Sequence, residues 1–321
     1  MIRHLLARRA RWLRDLPART ALKLFNQRRV RAVLGRRHHQ ALQRHRPALP
    51  RLSAFDAGIV AALDRHGVFV TSLAELGLAG SDALVGTAAE LAERFAGEAR
   101  RRVAAGEPFT IVPPEWIVEN PEIHRWGLQD RLLDIAEAYI GLPPAYDGVT
   151  INYTVADGRE VSTRMWHRDW EDRRMLKIAI YLHDVDADGG PFQIIARQDS
   201  RQSDAEGYSY GLAGDAELAT RMGASFADDI VSCEGLKGTV VFNDTARFFH
   251  RGKPATARDR AAVFYSYFAR RPRHPFLCER TGMTRKHSAL LARALPPRQR
   301  GAVLWRRQLP AALRLIPSAG L

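Results

Sequence analysis

Cysteine is nearly absent: the 321 residues contain two, Cys233 and Cys278. That is too few for a disulfide framework or a thiolate zinc site, and a reduced cytosol is the expected compartment. No apolar run approaches the roughly eighteen residues that a membrane-spanning helix needs. Lysine is also scarce, with five (Lys23, Lys177, Lys237, Lys253, Lys286) among 49 basic residues. Arginine, alanine, glycine and proline together suggest a GC-rich genome, so arginine count alone says little about partners. Acid is missing from the first fifty residues, where 14 Lys and Arg face only Asp15 and so account for +13 of the net +14. The remaining 271 residues are close to neutral. No internal repeat or low-complexity tract is present.

What is present in residues 1–50 is an apolar residue every three or four positions between arginines: Ile2, Leu5, Leu6, Trp12, Leu13 and Leu16, then Leu22, Phe25, Val33 and Leu34. Pro17 interrupts the pattern, which predicts two short amphipathic helices. Such an arm suits peripheral attachment to an anionic membrane or packing as a helical extension on the body. A transit peptide fits less well, and specific nucleic-acid binding is not expected, because aromatics are not interleaved and no zinc-finger or helix-turn-helix signature follows.

Residues 51–144 read as a helical subdomain. Phe55, Ile59, Val60 and Leu63 recur at helical spacing until Gly67, residues 82–101 are rich in Ala, Leu, Glu and Arg, and a helix over 129–140 stops at Gly141-Leu-Pro-Pro. Residues 145–275 change character. Short β-type runs (Val149–Val155, Val161–His167, Leu176–Leu182, Phe192–Ile195, Thr239–Phe242, Ala261–Phe268) alternate with turns such as Ala187-Asp-Gly-Gly. An antiparallel sandwich or barrel follows, interrupted by a polar insert at 197–235 with the length of a lid. Residues 276–321 read as a helical tail, with helices over 288–295 and 302–315 and the apolar stripe Leu304, Trp305, Leu309, Leu313, Ile316.

Chemistry concentrates in Met165-Trp-His-Arg-Asp169, where His167 and Asp169 leave one face of an extended segment. A His-x-Asp pair is expected by chance about once in a chain of this composition, so its weight comes from Phe248-Phe-His250 and from Arg260 ten residues later. Two imidazoles and a carboxylate on one side of a metal form the facial triad of non-haem Fe(II) oxygenases, which leaves positions open for a co-substrate and O2. A 2-oxoglutarate chelating the metal through its keto-acid end needs a cation at its far carboxylate, and a bidentate guanidinium suits that role. Arg260 is the candidate and Arg258 the runner-up. On the strand from Leu176, the face carrying Leu176, Ile178, Ile180 and Leu182 should pack on helices. Lys177 and Tyr181 should then line the barrel as candidate co-substrate or substrate contacts, with a locally satisfied polar pair the equal alternative.

On these residues the chain resembles the phytanoyl-CoA dioxygenase family of Fe(II)- and 2-oxoglutarate-dependent oxygenases over roughly residues 145–270. The matching pieces are His167-Arg-Asp169, then Leu176 through Gly189-Gly-Pro-Phe192, His250 and Arg260. The resemblance implies a mainly β core with flanking helices, folded as a double-stranded β-helix (a cupin-like jelly roll). It implies metal ligation by His167, Asp169 and His250, with 2-oxoglutarate on Arg260. Residues 196–200, Ala-Arg-Gln-Asp-Ser, and Gly238-Thr239 depart from the family pattern near the mouth, so substrate choice does not carry over. Related halogenases lack the carboxylate, so Asp169 favours hydroxylation of a small-molecule, acyl or lipid-like substrate. Two alternatives use the same residues: a zinc-dependent enzyme of the cupin kind, which needs no co-substrate arginine, and a non-catalytic binding module on a degenerate oxygenase fold.

Trp166 and Trp170 lie opposite His167 in the alternation and are expected to pack. His183, His274, His124 and His287 have no metal partner at useful spacing. Arg164, Arg168, Arg173, Arg174, Arg247 and Arg251 crowd the ligand segments, either as an electropositive mouth or in ordinary ion pairs.

Overall fold

Alternation of β-branched and aromatic residues with small or polar ones builds two antiparallel sheets in the computed structural model. The structure describes residues 2–197, 207–208 and 211–319, with side chains from Leu13 onward. The strands are β1 (Val68–Ser72), β2 (Thr110–Ile111), β3 (Pro144–Thr154), β4 (Leu176–Tyr181), β5 (Phe192–Ile195), β6 (Ile230–Cys233), β7 (Thr239–Asn243), β8 (His250–Gly252) and β9 (Arg260–Ala269). The larger sheet runs β1-β7-β4-β9-β3-β2 and the smaller β6-β5-β8. The fold is a double-stranded β-helix, or jelly roll, with flanking helices.

Helices flank the two sheets. They are α1 (Ile2–Phe25), α2 (Arg28–His45), α3 (Ala54–His66), α4 (Leu73–Leu76), α5 (Ser81–Ala104), α6 (Pro114–Glu119), α7 (Pro121–Trp126), α8 (Asp130–Ile140), α9 (Asp215–Met222), α10 (Arg285–Leu291), α11 (Pro297–Val303) and α12 (Ala311–Leu315). On β4, Leu176, Ile178 and Ile180 enter the main core with Leu91, Phe95, Leu132 and Ile135. The opposite face presents Ala179 and Tyr181 to Phe192, Ile194 and Phe248, which fill the space between the sheets. The period of two in the sequence is thus spent on two different neighbours, the helices outside and the second sheet inside.

Several elements differ from the sequence reading. Pro17 lies inside α1, and the break between the two arm helices falls at Asn26-Gln27. Proline removes one backbone donor and crowds the carbonyl four residues back, which a solvent-facing stretch of helix tolerates. Residues 51–144 contribute strands as well as helices. Val68-Phe-Val-Thr-Ser pairs with β7 as the sheet edge, and Thr110-Ile111 pairs with β3. Ser162–Arg164 is a 3-10 turn in place of the expected strand, and His167 joins the smaller sheet by a single bridge to His250. The insert at 197–235 is only partly loop: α9, a 3-10 turn over Ala224–Asp229 and β6 occupy its second half. Residues 198–206 and 209–210 of the expected lid lie outside the described residues. The tail helix expected over 302–315 is divided into α11, a 3-10 turn over Trp305–Gln308, and α12 starting after Pro310.

The turn from β7 to β8 delivers His250 and is held by buried charge. Asp244 accepts hydrogen bonds from the backbone N–H groups of Ala246 (3.0 Å) and Arg247 (3.1 Å), from Arg247 Nε (2.5 Å) and from the Tyr139 hydroxyl. Arg247 also donates to Tyr139 Oη at 2.8 Å and to the Leu63 carbonyl at 3.2 Å, tying the turn to α8 and α3. Gly67 ends α3 with φ of 77°, and a Cβ there would lie 2.4 Å from the Phe248 ring. Left-handed backbone and close approach both require glycine at that position. Asp244→Ala is expected to destabilise the fold by about 3 kcal/mol, because it removes the buried partner of the Arg247 guanidinium and leaves it only the half-exposed Asp64 at 3.4 Å. Chemical denaturation of the metal-free protein measures this, and a loss below about 1 kcal/mol would show that the turn does not depend on the pair.

Candidate metal centre

The extended segment Trp166–Asp169 is fixed from both sides. Trp166 exchanges backbone hydrogen bonds with Ala213 (2.9 Å each way), and His167 exchanges them with His250 (3.0 Å each way). Asp169 N–H donates to the Thr245 carbonyl at 2.7 Å. The two histidines are therefore a directly opposed antiparallel pair, with ring centroids 4.2 Å apart. Two residues on, Asp169 returns to the same side, with Oδ2 4.0 Å from His250 Nε2. One donor atom from each of His167, Asp169 and His250 lies within 4.8 Å of the others, and all three residues are buried.

Protonation suits a metal. Burial holds both imidazoles below their ordinary range, and His250 falls further because the His167 ring lies beside it. Neutral rings keep a lone pair for coordination. His167 Nδ1 contacts the Met165 carbonyl at 2.8 Å and His250 Nδ1 the Phe248 carbonyl at 3.3 Å. A carbonyl can only accept, so these contacts put the ring protons on Nδ1 and leave both Nε2 atoms as donors to a metal. Burial opposes ionisation of Asp169, but the Lys177 ammonium, with help from the imidazoles, more than offsets it and holds the carboxyl below the usual range. Two neutral nitrogens and one carboxylate, set on one side of an interior space, fit a divalent first-row metal ion.

Lys177 donates to Asp169 Oδ2 at 2.5 Å. It therefore holds the carboxylate of the candidate triad, the locally satisfied polar pair that the sequence left as the alternative to a co-substrate or substrate contact. Burial alone would lower its pKa, but Asp169 and then Glu171 raise it. Glu171, whose carboxylate accepts from Trp170 N–H at 3.0 Å, is pushed up to about 8 by burial and by Asp169. Tyr181 is likewise satisfied within the fold: its hydroxyl donates to the Cys233 carbonyl (2.6 Å) and accepts from Phe192 N–H (3.0 Å), joining β4 to the smaller sheet.

Arg260 opens β9 on the inner face. It is 7% exposed, whereas Arg258 is 63% exposed at its side chain and paired with Asp186, which removes the runner-up. The Arg260 guanidinium donates to the Gly190 carbonyl and, at 3.3 Å, to Thr154 Oγ1, and it makes no ion pair among the described residues. Burial lowers its pKa, and Arg164 nearby adds like charge. A Cβ on Gly252 would lie 2.8 Å from Arg260 Nη2, so the guanidinium rests on bare backbone. Gly252 shares a face of β8 with His250, two residues or about 7 Å along the strand. Sequence reading missed Gly252 and Thr154, as well as Phe192, whose ring stacks on His250 at 5.7 Å. Pairing of Thr154 with Arg260 in the β3–β9 register is the signal that would have found Thr154.

The remaining conspicuous residues have local roles. Trp166 is buried with Ile195, Leu218 and Phe249, and Trp170 donates to the Leu277 carbonyl at 3.0 Å. His183 accepts from Ala261 N–H, His274 bonds the Trp170 carbonyl, and His287 caps α10. Burial, chiefly, lowers the pKa of both His124 and His274 to about 3. Arg164, Arg174, Arg247 and Arg251 pair with Asp157, Asp64, Asp244 and Asp215, so four of the six arginines near the ligands are already matched.

No protein-family model and no curated protein matches the chain. Among solved structures it is similar to EctD from S. alaskensis in its apoform, at 24% identity over 68% of this chain and 78% of that one, with a TM-score of 0.46. EctD with 2-oxoglutarate and 5-hydroxyectoine aligns at 22% identity over 84% and 88%, TM-score 0.45. The epimerase SnoN in complex with Fe3+, alpha ketoglutarate and nogalamycin RO aligns at 17% over 76% and 91%, TM-score 0.42. What those proteins bind is theirs; the metal centre of this chain rests on its own three side chains.

Lys177→Met removes a cation from the Asp169 oxygen that faces His250. Divalent-metal affinity is expected to rise about tenfold, since like charge beside the ion is lost. Anaerobic titration with Co(II), followed by its visible spectrum, measures this; an unchanged or weaker affinity would show that orienting the carboxylate outweighs the repulsion.

Proposed function

We propose that this protein is an Fe(II)- and 2-oxoglutarate-dependent oxygenase that hydroxylates a small-molecule or lipid-like substrate. His167, Asp169 and His250 would hold the metal, and Arg260 would hold the far carboxylate of 2-oxoglutarate. The observation that carries the reading is Arg260, a buried guanidinium without a counter-ion among the described residues, placed about two strand residues from His250. A buried cation of this kind is costly unless an anion joins it. A five-carbon dicarboxylate with one end at the triad has the length to bring its other carboxylate there. Iron with 2-oxoglutarate and O2 supplies the oxidation, releasing succinate and CO2.

The chain's own part is placement and exclusion of water. The bridge between His167 and His250 sets the metal donors, and Asp169 stays ionised against Lys177. Thr154 and the Gly190 carbonyl orient the Arg260 fork, while Gly252 leaves room for it. Phe192 and Phe248 close the interior between the sheets. The zinc alternative uses the same three ligands but gives Arg260 nothing to bind, and the binding-module alternative leaves the selected imidazole tautomers without purpose.

Anaerobic Fe(II) and 2-oxoglutarate are expected to give a weak visible charge-transfer band with the wild-type protein. His167→Ala should lose both metal and band, whereas Arg260→Ala should keep the metal and weaken 2-oxoglutarate binding about a hundredfold, the size expected for a desolvated charge pair. An Arg260→Ala protein with unchanged 2-oxoglutarate affinity would move the assignment to a zinc enzyme. Folded wild-type protein that holds no metal would move it to a binding module.

A further inference from the structure

From Leu13 onward, α1 packs on the body along one side and leaves three leucines exposed on the other. On α1, Ala18 and Ala21, joined by Leu22 and Phe25, face Trp170, Tyr208, Phe276 and Leu277. Leu13, Leu16 and Leu24 are 61%, 40% and 50% exposed. With Thr20 they follow a spacing of three and four residues, which lines them along the side of the helix opposite the alanines. Two short anchors hold the pair of helices. Asn26 Nδ2 donates to the Tyr208 carbonyl (2.7 Å) while Tyr208 N–H donates to Asn26 Oδ1 (2.9 Å), and His45 Nε2 meets Glu137 at 2.8 Å.

Both arm helices also expose basic side chains, and Arg19 and Lys23 flank the leucine stripe on α1. Arg19, Lys23, Arg28, Arg29, Arg36 and Arg37 are exposed and make no ion pair among the described residues. On α2, Arg29, Arg36, Arg37 and Arg44 share one face with Val33, which is 39% exposed. An acidic protein or a nucleic acid would satisfy the arginines but leave the leucines in water. An anionic bilayer satisfies both, with guanidinium groups at the phosphates and leucines at the acyl boundary. Among the described residues no helix is long and apolar enough to cross a membrane, so attachment would be to the surface.

We propose that the outer face of α1 and α2 docks the protein on an anionic lipid surface through Leu13, Leu16 and Leu24 and the flanking arginines. Attachment would hold the body beside the bilayer, and it stands apart from the metal assignment.

The test is co-sedimentation of the full chain with vesicles of phosphatidylcholine alone or of phosphatidylcholine and phosphatidylglycerol in equal parts. The wild type should partition onto the anionic vesicles only, and less at high salt. Leu13→Gln/Leu16→Gln/Leu24→Gln should lower that partition roughly tenfold or more with an unchanged melting temperature, because these side chains already face solvent. A second variant, Arg29→Ser/Arg36→Ser/Arg37→Ser, should lower it as well and flatten its salt dependence. No enrichment on anionic vesicles, or a leucine variant that binds as the wild type does, would overturn the proposal. So would release of bound protein by an equal charge of duplex DNA, which would assign the arm to nucleic acid.

Discussion

The backbone bridge between His167 and His250 is the constraint on which the site depends. Its two hydrogen bonds, each 3.0 Å, make two residues 83 positions apart in the chain direct partners. Alternation along the Trp166–Asp169 segment then adds the carboxylate to the same side, and alternation along β8 brings Gly252 to the same side as His250. Neither segment is a long strand: β8 spans only His250–Gly252, and the Trp166–Asp169 segment joins the smaller sheet by an isolated bridge. Their position comes from what lies around them, the Asp244–Arg247–Tyr139 network on one side and the Trp166–Ala213 bridge on the other. Geometry at the metal is therefore set by buried polar networks as much as by sheet pairing, and those networks tolerate little loss.

Much of this was legible in the sequence, and the reason is periodicity. The Leu176–Leu182 run shows its two faces directly, and β9 and β7 are marked by β-branched and aromatic residues. His167, Asp169, His250 and Arg260 stood out because each lies next to such a run. What could not be read was long-range pairing. Val68–Ser72 is a run of five residues directly after the helix stop at Gly67, and nothing local says that it completes a sheet edge beside β7. Ser162–Arg164 looks extended in composition but folds as a 3-10 turn with Ser162 at φ of 53°, because the chain must bend there to meet His250. Pro17, inside α1, is a further case. Proline costs a helix one backbone hydrogen bond and crowds one carbonyl, and an exposed position such as Pro17 adds no packing loss to that cost.

Lys177 shows a different limit. Its strand face was readable, and so was its entry into the barrel, but its partner was not. Composition offered 2-oxoglutarate, substrate or a local acid, and the fold places Asp169 within 2.5 Å. Gly252 was equally silent, since the reason for a missing side chain is the arginine that rests on it, and that arginine enters from another strand. Residues that act by contact across strands are the part of a site that spacing along one strand cannot reveal.

The interior charges then divide into two unequal halves. At one end, Asp169 and Lys177 neutralise each other, with Glu171 kept largely protonated beside them by burial and by the Asp169 charge. At the other end, Arg260 has hydrogen-bond acceptors but no carboxylate partner among the described residues, and Arg164, which acts on it, is of like sign and spent on Asp157. A fold selected for stability alone would fill that second end with an acid or an apolar side chain, because an uncompensated buried cation costs several kcal/mol. Retaining it makes sense when a dianionic ligand supplies the missing charge. The same asymmetry would orient such a ligand under the proposed function: the chelating end would go to the triad, where a metal offers the stronger attraction, and the distal carboxylate to Arg260, which makes no ion pair among the described residues.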